Sequence, residues 1–559
     1  SELDRAKTEI LRGTESYFEN RNDRKNGEFA NSYMAHFENG TPYLTPEQDL
    51  RITRRMLEAI TLEAVNAEAA SWIHDRNSAI LIALPAKKGV ALPTEADVLT
   101  VVEAVKNKEI AAYTEDIQGR ELLDASRLKG SRTMRSQEGK YGSTVLTLRN
   151  GVRVIVKPTE LKADEVQMNA FQRGGTTTVA DPTDLYNLGM LSGFLDLSGV
   201  GDFSHTELDK LLAGKLVSVS PTIGSLSQGF SGSCSPRDIQ TLLQLVYLYY
   251  TAPRFDPADW NVLLNQYRSL LPSMVSNPSY ILQDSLMQTV YGHNPRVFML
   301  LSERVLETVS LERTEALYRR FFSNADGMTF LFVGNISVDS LRPLAERYLG
   351  SLPAARRKHA PQWGDHLVLP VPGVVQNVYK TPLQTPKVTA IELHTGTLPY
   401  TLERSLNLEA IRYILEMRYT RSIREERGGT YGVRVALTNQ KVPLPRFAYQ
   451  ISFDTDTTKI EELLPLVTQE IEALSVGGAT DEEVAKTKEF FLKKYRDGLI
   501  HNSTWMGYLT NWYLSDNDRY TSYESALRSL TPESIRQAAA DAFGQNNVCT
   551  LIQLPDTTN

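Results

Sequence analysis

The sequence predicts an α+β fold made of repeated two-layer sandwiches, each an antiparallel sheet with helices packed on one face. Three observations predict it. A helix-then-strand segment recurs three times, strand-rich openings precede the second and third copies, and 559 residues are enough for three or four separate cores.

The recurring segment aligns without a gap in three windows: Ile60 to Pro85, Val309 to Gly334 and Leu530 to Pro555. In each, a hydroxyl residue (Thr61, Ser310, Thr531) stands where its oxygen can accept from an orphan backbone N–H at a helix start. Glu63, Glu312 and Glu533 follow in the first turn, where the helix dipole favours an anion, and Pro532 occupies a first position that needs no N–H. A polar turn ends each helix, and β-rich runs close the windows: SAILIAL, MTFLFVG and VCTLIQL. Upstream, SELDRAKTEIL at Ser1 resembles DEEVAKTKEFFL at Asp481, so two copies also share an amphipathic helix.

Openings are fewer than endings. TVLTLRNGVRVIVKP (Thr144 to Pro158) reads as a β-hairpin about Asn150-Gly151, and VQNVYKTPLQTPKVTAIELHTG (Val375 to Gly396) as a second opening. None precedes Ser1, so the chain is expected to begin inside a repeat and to hold half of one domain and two whole ones. Residues 89–141 read as a helical linker, and the Pro-rich stretch at 354–369 as a second linker. Along one helical face Leu408, Ile411 and Leu415 belong to a core, and the aromatic groups Val246 to Tyr250 and Thr504 to Leu514 read as core rather than as a ligand box.

Composition excludes several function classes. Hydrophobic residues at 41% and charged residues at 23% are those of a globular protein, not a disordered or fibrous one. Sixty Lys and Arg against 67 Asp and Glu, a net charge of -7, offer no basic field for a phosphate backbone, so nucleic acid is not an expected partner. No apolar run is long enough for a membrane span, and Cys234 and Cys549 make neither a disulfide framework nor a metal cluster. The start SELDRAKTEI is charged and unlike a signal peptide, while the missing initiating Met leaves a removed leader open.

A hydrolytic zinc site announces itself as HExxH or HxxEH, and no two of the eight histidines are four residues apart. His205 with Glu207 cannot fill a coordination sphere, so the chain by itself is expected to bind no zinc. Nucleophile elbow, P-loop, GxGxxG and CxxC motifs are absent, and the Gly174-Gly175 and Gly428-Gly429 pairs read as turns. One segment stands out, TRSIREERGGTYGVRVALTN from Thr420 to Asn439. A helix is expected to end at the glycine pair, followed by a strand with Tyr431, Val433, Val435 and Leu437 on one face. Arg424 and Tyr431 would then converge, able to donate to a peptide carbonyl or the oxyanion it becomes. The alternative is structural: Arg424 complements a helix C-terminus and pairs with a nearby Glu while Tyr431 packs.

At these residues the chain resembles the insulinase/pitrilysin family of zinc metallopeptidases, over essentially its whole length. IREERGGTYGV is similar to the family's C-terminal Arg and Tyr motif, LRNGVRVIV to the opening strands of a family domain, and SLERTEALYRRFFSNADGMTFLFVGNIS to its closing helix and strand. The resemblance implies four homologous α+β domains in two halves that clamp a peptide. Residues 1–88 correspond to the rear part of the second domain, 142–353 to a degenerate third, and 370–559 to the fourth. It implies catalytic roles for Arg424 and Tyr431 as substrate-carbonyl and oxyanion contacts. Zinc would belong to the intact protein on an HxxEH helix of the first domain, where a glutamate base activates a bound water. At the corresponding place Leu185 to Gly199 has neither His nor Glu.

The implied function is the C-terminal, transition-state-stabilising portion of a zinc metalloendopeptidase, inactive alone. The alternatives are a non-catalytic partner subunit of a two-chain peptidase, or a scaffold that captures peptides at sheet edges. The expected partners are a peptide substrate and the missing N-terminal half or a zinc-bearing chain. The resemblance also suggests a periplasmic or envelope location.

Overall fold

The computed structural model describes residues 2–556 apart from 73–76, 85–88, 90, 107, 110–116 and 118. The chain divides into two compact units, Ser1–Leu122 with Asp209–Lys215, and Leu123–Leu208 with Leu216–Asn559.

The smaller unit is helical: α1 (Glu2–Glu19), α2 (Asn26–Asn39), α3 (Pro46–Ala59), α4 (Leu62–Trp72) and α5 (Glu95–Lys106). Leu50 and Leu57 of α3 are buried, and Arg54 pairs with Glu15 of α1 at 2.9 Å. Thr45 and Gln48 close a capping box at the start of α3, and Thr61 caps α4 by accepting from the Ala64 N–H at 3.2 Å. The strand expected at SAILIAL is not formed. Residues 78–84 have no regular structure, and Ile80, Leu81, Ile82 and Leu84 are exposed. A strand exists only by pairing its N–H and C=O groups with a neighbour, and among the described residues none lies beside this run.

The larger unit contains two sheets. Its first part runs β1 (Thr133–Glu138), β2 (Thr144–Leu148), β3 (Arg153–Pro158), β4 (Val166–Arg173), α6 (Asp184–Ser198), the first half of α7 (His205–Leu212), whose residues from Asp209 count with the smaller unit, β5 (Val217–Ile223) and β6 (Ser227–Cys234). It continues through α8 (Ile239–Thr251), α9 (Pro257–Val275), α10 (Pro278–Tyr291), α11 (Glu303–Thr308), α12 (Leu311–Phe321), β7 (Thr329–Gly334) and α13 (Val338–Tyr348). The second part runs β8 (Val374–Thr381), β9 (Val388–Gly396), α14 (Leu402–Tyr419), β10 (Val433–Gln440), β11 (Arg446–Thr455), α15 (Ile460–Gly477) and α16 (Asp481–Gly498). It ends with α17 (Asn502–Ser515), α18 (Tyr523–Arg528), α19 (Pro532–Phe543) and β12 (Val548–Pro555).

The sheet orders prove the repeat. The first sheet is β1-β2-β3-β7-β4-β6-β5 and the second, read from its other edge, β8-β12-β9-β11-β10. Without β1 and β2 they have the same topology, with β3–β7 and β8–β12 parallel and the remaining pairs antiparallel. The closing strand of each window therefore inserts between its two opening strands. For this reason Val375 to Gly396 is not itself a hairpin, whereas β2 and β3 pair directly about Gly151, whose φ of +86° suits glycine. Strand β1 lies within the stretch read as a linker and extends the first sheet at its edge. Ser310 and Thr531 cap α12 and α19, accepting from the Arg313 and Ser534 amides at 3.2 and 3.0 Å.

Helices of each repeat cover one sheet face. Leu408, Ile411 and Leu415 of α14 are buried with Tyr449, Ile451 and Phe453 of β11, and Val246, Leu248, Tyr249 and Tyr250 of α8 are core, as their pattern predicts. The opposite faces are covered reciprocally. Leu509 of α17 is fully buried on Val145, Ile155, Phe171, Leu331 and Val333 of the first sheet, with Trp505, Met506 and Tyr513 around it. Asn169 Nδ2 donates to Thr510 Oγ1 at 3.0 Å, and the Arg173 guanidinium to the Leu514 carbonyl at 2.8 and 3.0 Å. In return α10 lies on the second sheet, where Asn377 Nδ2 donates to Thr289 Oγ1 at 2.9 Å and Gln553 Nε2 to the Pro278 carbonyl at 3.2 Å.

Asp518 locks the loop after α17 to the first repeat. It accepts from Tyr141 Oη at 2.9 Å, from the Tyr520 and Thr521 amides at 3.1 and 2.9 Å and from Thr521 Oγ1 at 2.7 Å. Burial alone would raise this carboxyl; the hydrogen bonds outweigh it and hold the group well below its ordinary value of 3.8. A depressed folded pKa stabilises above the unfolded value and is lost on acidification. Asp518→Asn should therefore lower stability at pH 7 and flatten its fall below about pH 4, as read by urea midpoints across that range.

Candidate active site

The segment Thr420 to Asn439 is shaped by local competition for backbone groups. Thr420 Oγ1 and Ser422 Oγ donate to the carbonyls four residues back, Glu416 and Arg418, at 2.8 and 3.0 Å. Such back-bonding accompanies a widening of the helix, and Thr420–Glu425 is a π-helical turn in which the Glu426 amide reaches the Arg421 carbonyl at 3.0 Å. Arg424 projects from this turn. Below it, buried Arg418 ties α14 to α16 through two 2.8 Å bonds to Glu483, and the Ile423 side chain is fully buried.

The chain reverses at Gly428, whose φ of +54° is left-handed as a helix-capping glycine requires. The Gly428 and Gly429 amides donate to the Arg424 and Ile423 carbonyls at 3.1 and 3.2 Å. Three residues far along the chain hold the turn: Thr455 Oγ1 donates to the Gly429 carbonyl at 2.6 Å, Lys459 Nζ to those of Arg427 and Gly428 at 3.2 and 3.1 Å, and Glu462 pairs with Arg427 at 2.8 Å. Sequence reasoning missed them, because only the pairing of β11 with β10 and the packing of α15 bring them here. The hydroxyls of Thr420 and Ser422 were a local signal available in the sequence.

Tyr431 does not continue the strand as expected. Thr430 Oγ1 donates to the Gly432 carbonyl at 3.0 Å and accepts from its amide at 3.2 Å, and this local exchange bends the chain until β10 begins at Val433. Val433 and Val435 enter the core, whereas Tyr431 is 101% exposed. Arg424 is exposed too, and no hydrogen bond or ion pair among the described residues engages its guanidinium or the Tyr431 phenol. Glu426 pairs instead with Arg421 at 3.9 Å. Neither the pairing of Arg424 with a Glu nor the packing of Tyr431 is present among the described residues, while Arg424 does stand in the last turn of the helix, as the structural alternative has it.

Gly432, next to Tyr431, lines a cavity of about 370 Å³ between the open face of the second sheet, at Ile391, Gln450 and Ser452, and Leu282 and Leu286 of α10. A larger cavity of about 800 Å³, lined among others by Glu409, Lys494, Tyr508 and Arg519, includes neither Arg424 nor Tyr431.

The other polar candidates have structural employment. Glu207 accepts from the Ser204 amide and hydroxyl at 2.9 and 2.8 Å as part of the cap of α7. On α6, Asp184 takes two 2.6 Å bonds from Arg313, and Asn187 accepts from the Ser310 amide at 2.9 Å, so its buried polar groups anchor α12. Cys234 and Cys549 are free and buried. Among the described residues no three His, Cys, Asp or Glu side chains are grouped to hold a metal ion.

The chain is similar to known proteins over most of its length. Residues 308–491 match the family model described as the peptidase M16 inactive domain. The probable zinc protease PqqL of Escherichia coli is 22% identical over 532 residues, which cover 92% of this chain and 55% of that protein. The zinc protease PQQL-like protein of Arabidopsis thaliana is 20% identical over 518 residues, covering 90% and 51%. The chain is a relative of the M16 peptidases. The crystal structure of the periplasmic protease PqqL of E. coli superposes with a TM-score of 0.69 at 20% identity, over 99% of this chain and 61% of that one. That of the ferredoxin protease FusC, in complex with Arabidopsis ferredoxin, gives 0.71 at 17% identity over 97% and 60%. The fold is thus the M16 fold, and the resemblance read from the insulinase/pitrilysin motifs holds. The chain spans about half the length of the curated relatives it matches.

The turn that presents Arg424 depends on close packing at Gly429, where an added Cβ would collide with the buried Leu463 side chain. Gly429→Ala should destabilise the protein by about 1–3 kcal/mol, lowering the midpoint in urea denaturation without changing its slope.

Proposed function

We propose that this chain is the substrate-holding portion of an M16 zinc protease, contributing Arg424 and Tyr431 to a peptide carbonyl while the metal is held by another domain. The observation that carries the reading is that both side chains are exposed and unengaged, next to one short turn whose backbone is tied down by Thr455 and Lys459. A guanidinium is charged at any working pH and a phenol is a neutral donor, so both can donate to one oxygen. As the carbonyl carbon becomes tetrahedral its oxygen gains negative charge, and donors already in position then bind it more tightly than in the ground state. The tethered turn limits the reorganisation this needs.

Zinc, in an enzyme of this kind, supplies Lewis acidity at the reacting carbonyl. The described residues offer no ligand set that fits it, so the chain's own part is to bind and polarise. The family model's description as an inactive domain favours a second reading on the same residues, a non-catalytic partner subunit of a two-chain peptidase. The likeness to the periplasmic protease PqqL of E. coli supports a periplasmic location. No described helix is long and apolar enough to cross a membrane.

Two outcomes test the proposal. The purified 559-residue chain should not cleave peptides, and chelator-sensitive cleavage by it would sink the assignment of zinc elsewhere. In the zinc-bearing assembly, Arg424→Ala should lower kcat/KM about 100-fold and Tyr431→Phe about 10-fold, with thermal midpoints unchanged because neither side chain is packed. Unaltered turnover in both variants would remove the catalytic role.

A further inference from the structure

The cavity of about 800 Å³ is built from helix faces turned away from the core. α17 lays Trp505 and Leu509 on the first sheet and shows Gly507 and Tyr508 to the cavity. α16 ends against it with Lys494 and Tyr495, α14 lines it with Glu409 and Arg412, and Leu437 of the edge strand β10 forms a wall. Gly507 sits in the interior of α17 with nothing within 4 Å of where a Cβ would stand, although glycine there costs about 1 kcal/mol against alanine. The helix is thus left bare where it faces the cavity.

The lining is rich in donors and poor in acceptors. Arg412, Lys494 and Arg519 are its cations and Glu409 its one carboxylate among the described residues, a local reversal in a chain of net charge -7. Glu409 is taken by Arg519 at 2.7 Å, and Arg412 pairs with Glu416 at 2.7 Å. The Lys494 ammonium and the hydroxyls of Tyr495, Tyr508 and Tyr523 engage no hydrogen bond or ion pair among the described residues. Burial holds all three phenols above their ordinary value of 10.0, so each stays a neutral donor at neutral pH. Uncommitted donors around an ammonium call for a ligand that brings acceptors and negative charge.

We infer that this cavity binds a carboxylate of the peptide substrate, from an Asp or Glu side chain or from the C-terminus, at a distance from the reacting carbonyl. An ionised carboxylate carries only acceptors, and its hydrogen bonds to an ammonium and to phenols are of the strong, charge-assisted kind. The position fits a peptide held at Arg424 and Tyr431. β10 starts at Val433, beside that turn, and reaches the cavity at Leu437, six residues after Tyr431, which is at most about 20 Å of extended chain. One peptide of moderate length therefore meets both places. The inference rests on the reading that Arg424 and Tyr431 hold a substrate carbonyl, and it adds a preference for acidic peptides set by groups well away from that carbonyl.

The full chain is titrated by calorimetry with four acetylated peptides of one sequence, bearing Glu or Gln at one inner position and a free or amidated C-terminus, each longer than the span between the two places. The unaltered chain should bind Glu about tenfold more tightly than Gln if a side chain fills the cavity, or the free acid about tenfold more tightly than the amide if a terminus does. Lys494→Ala and Tyr508→Phe should each remove most of that preference, whereas Lys493→Ala, an exposed neighbour outside the lining, should keep it. Tyr508→Phe retains the ring that meets Tyr141 and Tyr520, and unchanged thermal midpoints should show every variant folded. No preference for the acid, a preference that survives both substitutions, or no binding at all overturns the inference. A preference lost in Arg424→Ala but kept in Lys494→Ala overturns it too, by placing the carboxylate at the turn. Turnover of the zinc-bearing assembly, if unaltered in Arg424→Ala and Tyr431→Phe, ends the catalytic reading without touching an acid preference at Lys494, so the two fail separately.

Discussion

A sandwich with helices on one side leaves the other side of its sheet bare; in the first repeat that side is apolar, and in the second it mixes apolar residues such as Ile391 with polar ones such as Asn377, Gln450 and Ser452. The solution here is exchange: α17 seals the first sheet, α10 the second. A buried leucine such as Leu509 contributes roughly 2–3 kcal/mol by leaving water. The polar bonds around it, from Asn169 and Arg173, set register more than strength. The two repeats thus form one rigid frame, and the geometry of the candidate site depends on that frame.

The α10 side of the exchange also shapes the site. Because α10 lies on the second sheet, the space beside Gly432 becomes a cavity with a sheet floor and a helical wall rather than an open surface. The turn carrying Arg424 is held by the stretch from the end of β11 into α15, through Thr455, Lys459 and Glu462, and its helix is tied to α16 by the Arg418–Glu483 pair. Two exposed side chains next to such a tethered backbone lose less freedom on meeting a substrate than they would on a free loop. The fully buried Ile423 fixes one end of the segment and Val433 the other, and between them Gly429 packs on Leu463 while Arg424 and Tyr431 stay outside the core.

Much was legible along the chain itself. Repeat windows, caps at Thr61, Ser310 and Thr531, the Asn150-Gly151 hairpin and the core face of α14 are written in nearest-neighbour chemistry: hydroxyl to amide, glycine at positive φ, apolar residues at helical spacing. The placing of Arg424 and Tyr431 on either side of a glycine turn was legible because one short segment carries both. The failures share a cause. SAILIAL has strand composition without a partner, and Tyr431 has strand alternation but is turned out by the Thr430–Gly432 exchange.

Sequence alone therefore determined which elements the chain can form, that they recur, and which two side chains carry the chemical suggestion. Tertiary structure decided that closing strands insert between opening ones, that helices change sheets, and that Lys459 and Thr455 stand behind the turn. The physical reason is range. A cap or a turn is settled within a few residues, whereas a sheet neighbour or a buried face is chosen by competition among partners a hundred residues away, and no local pattern records the winner.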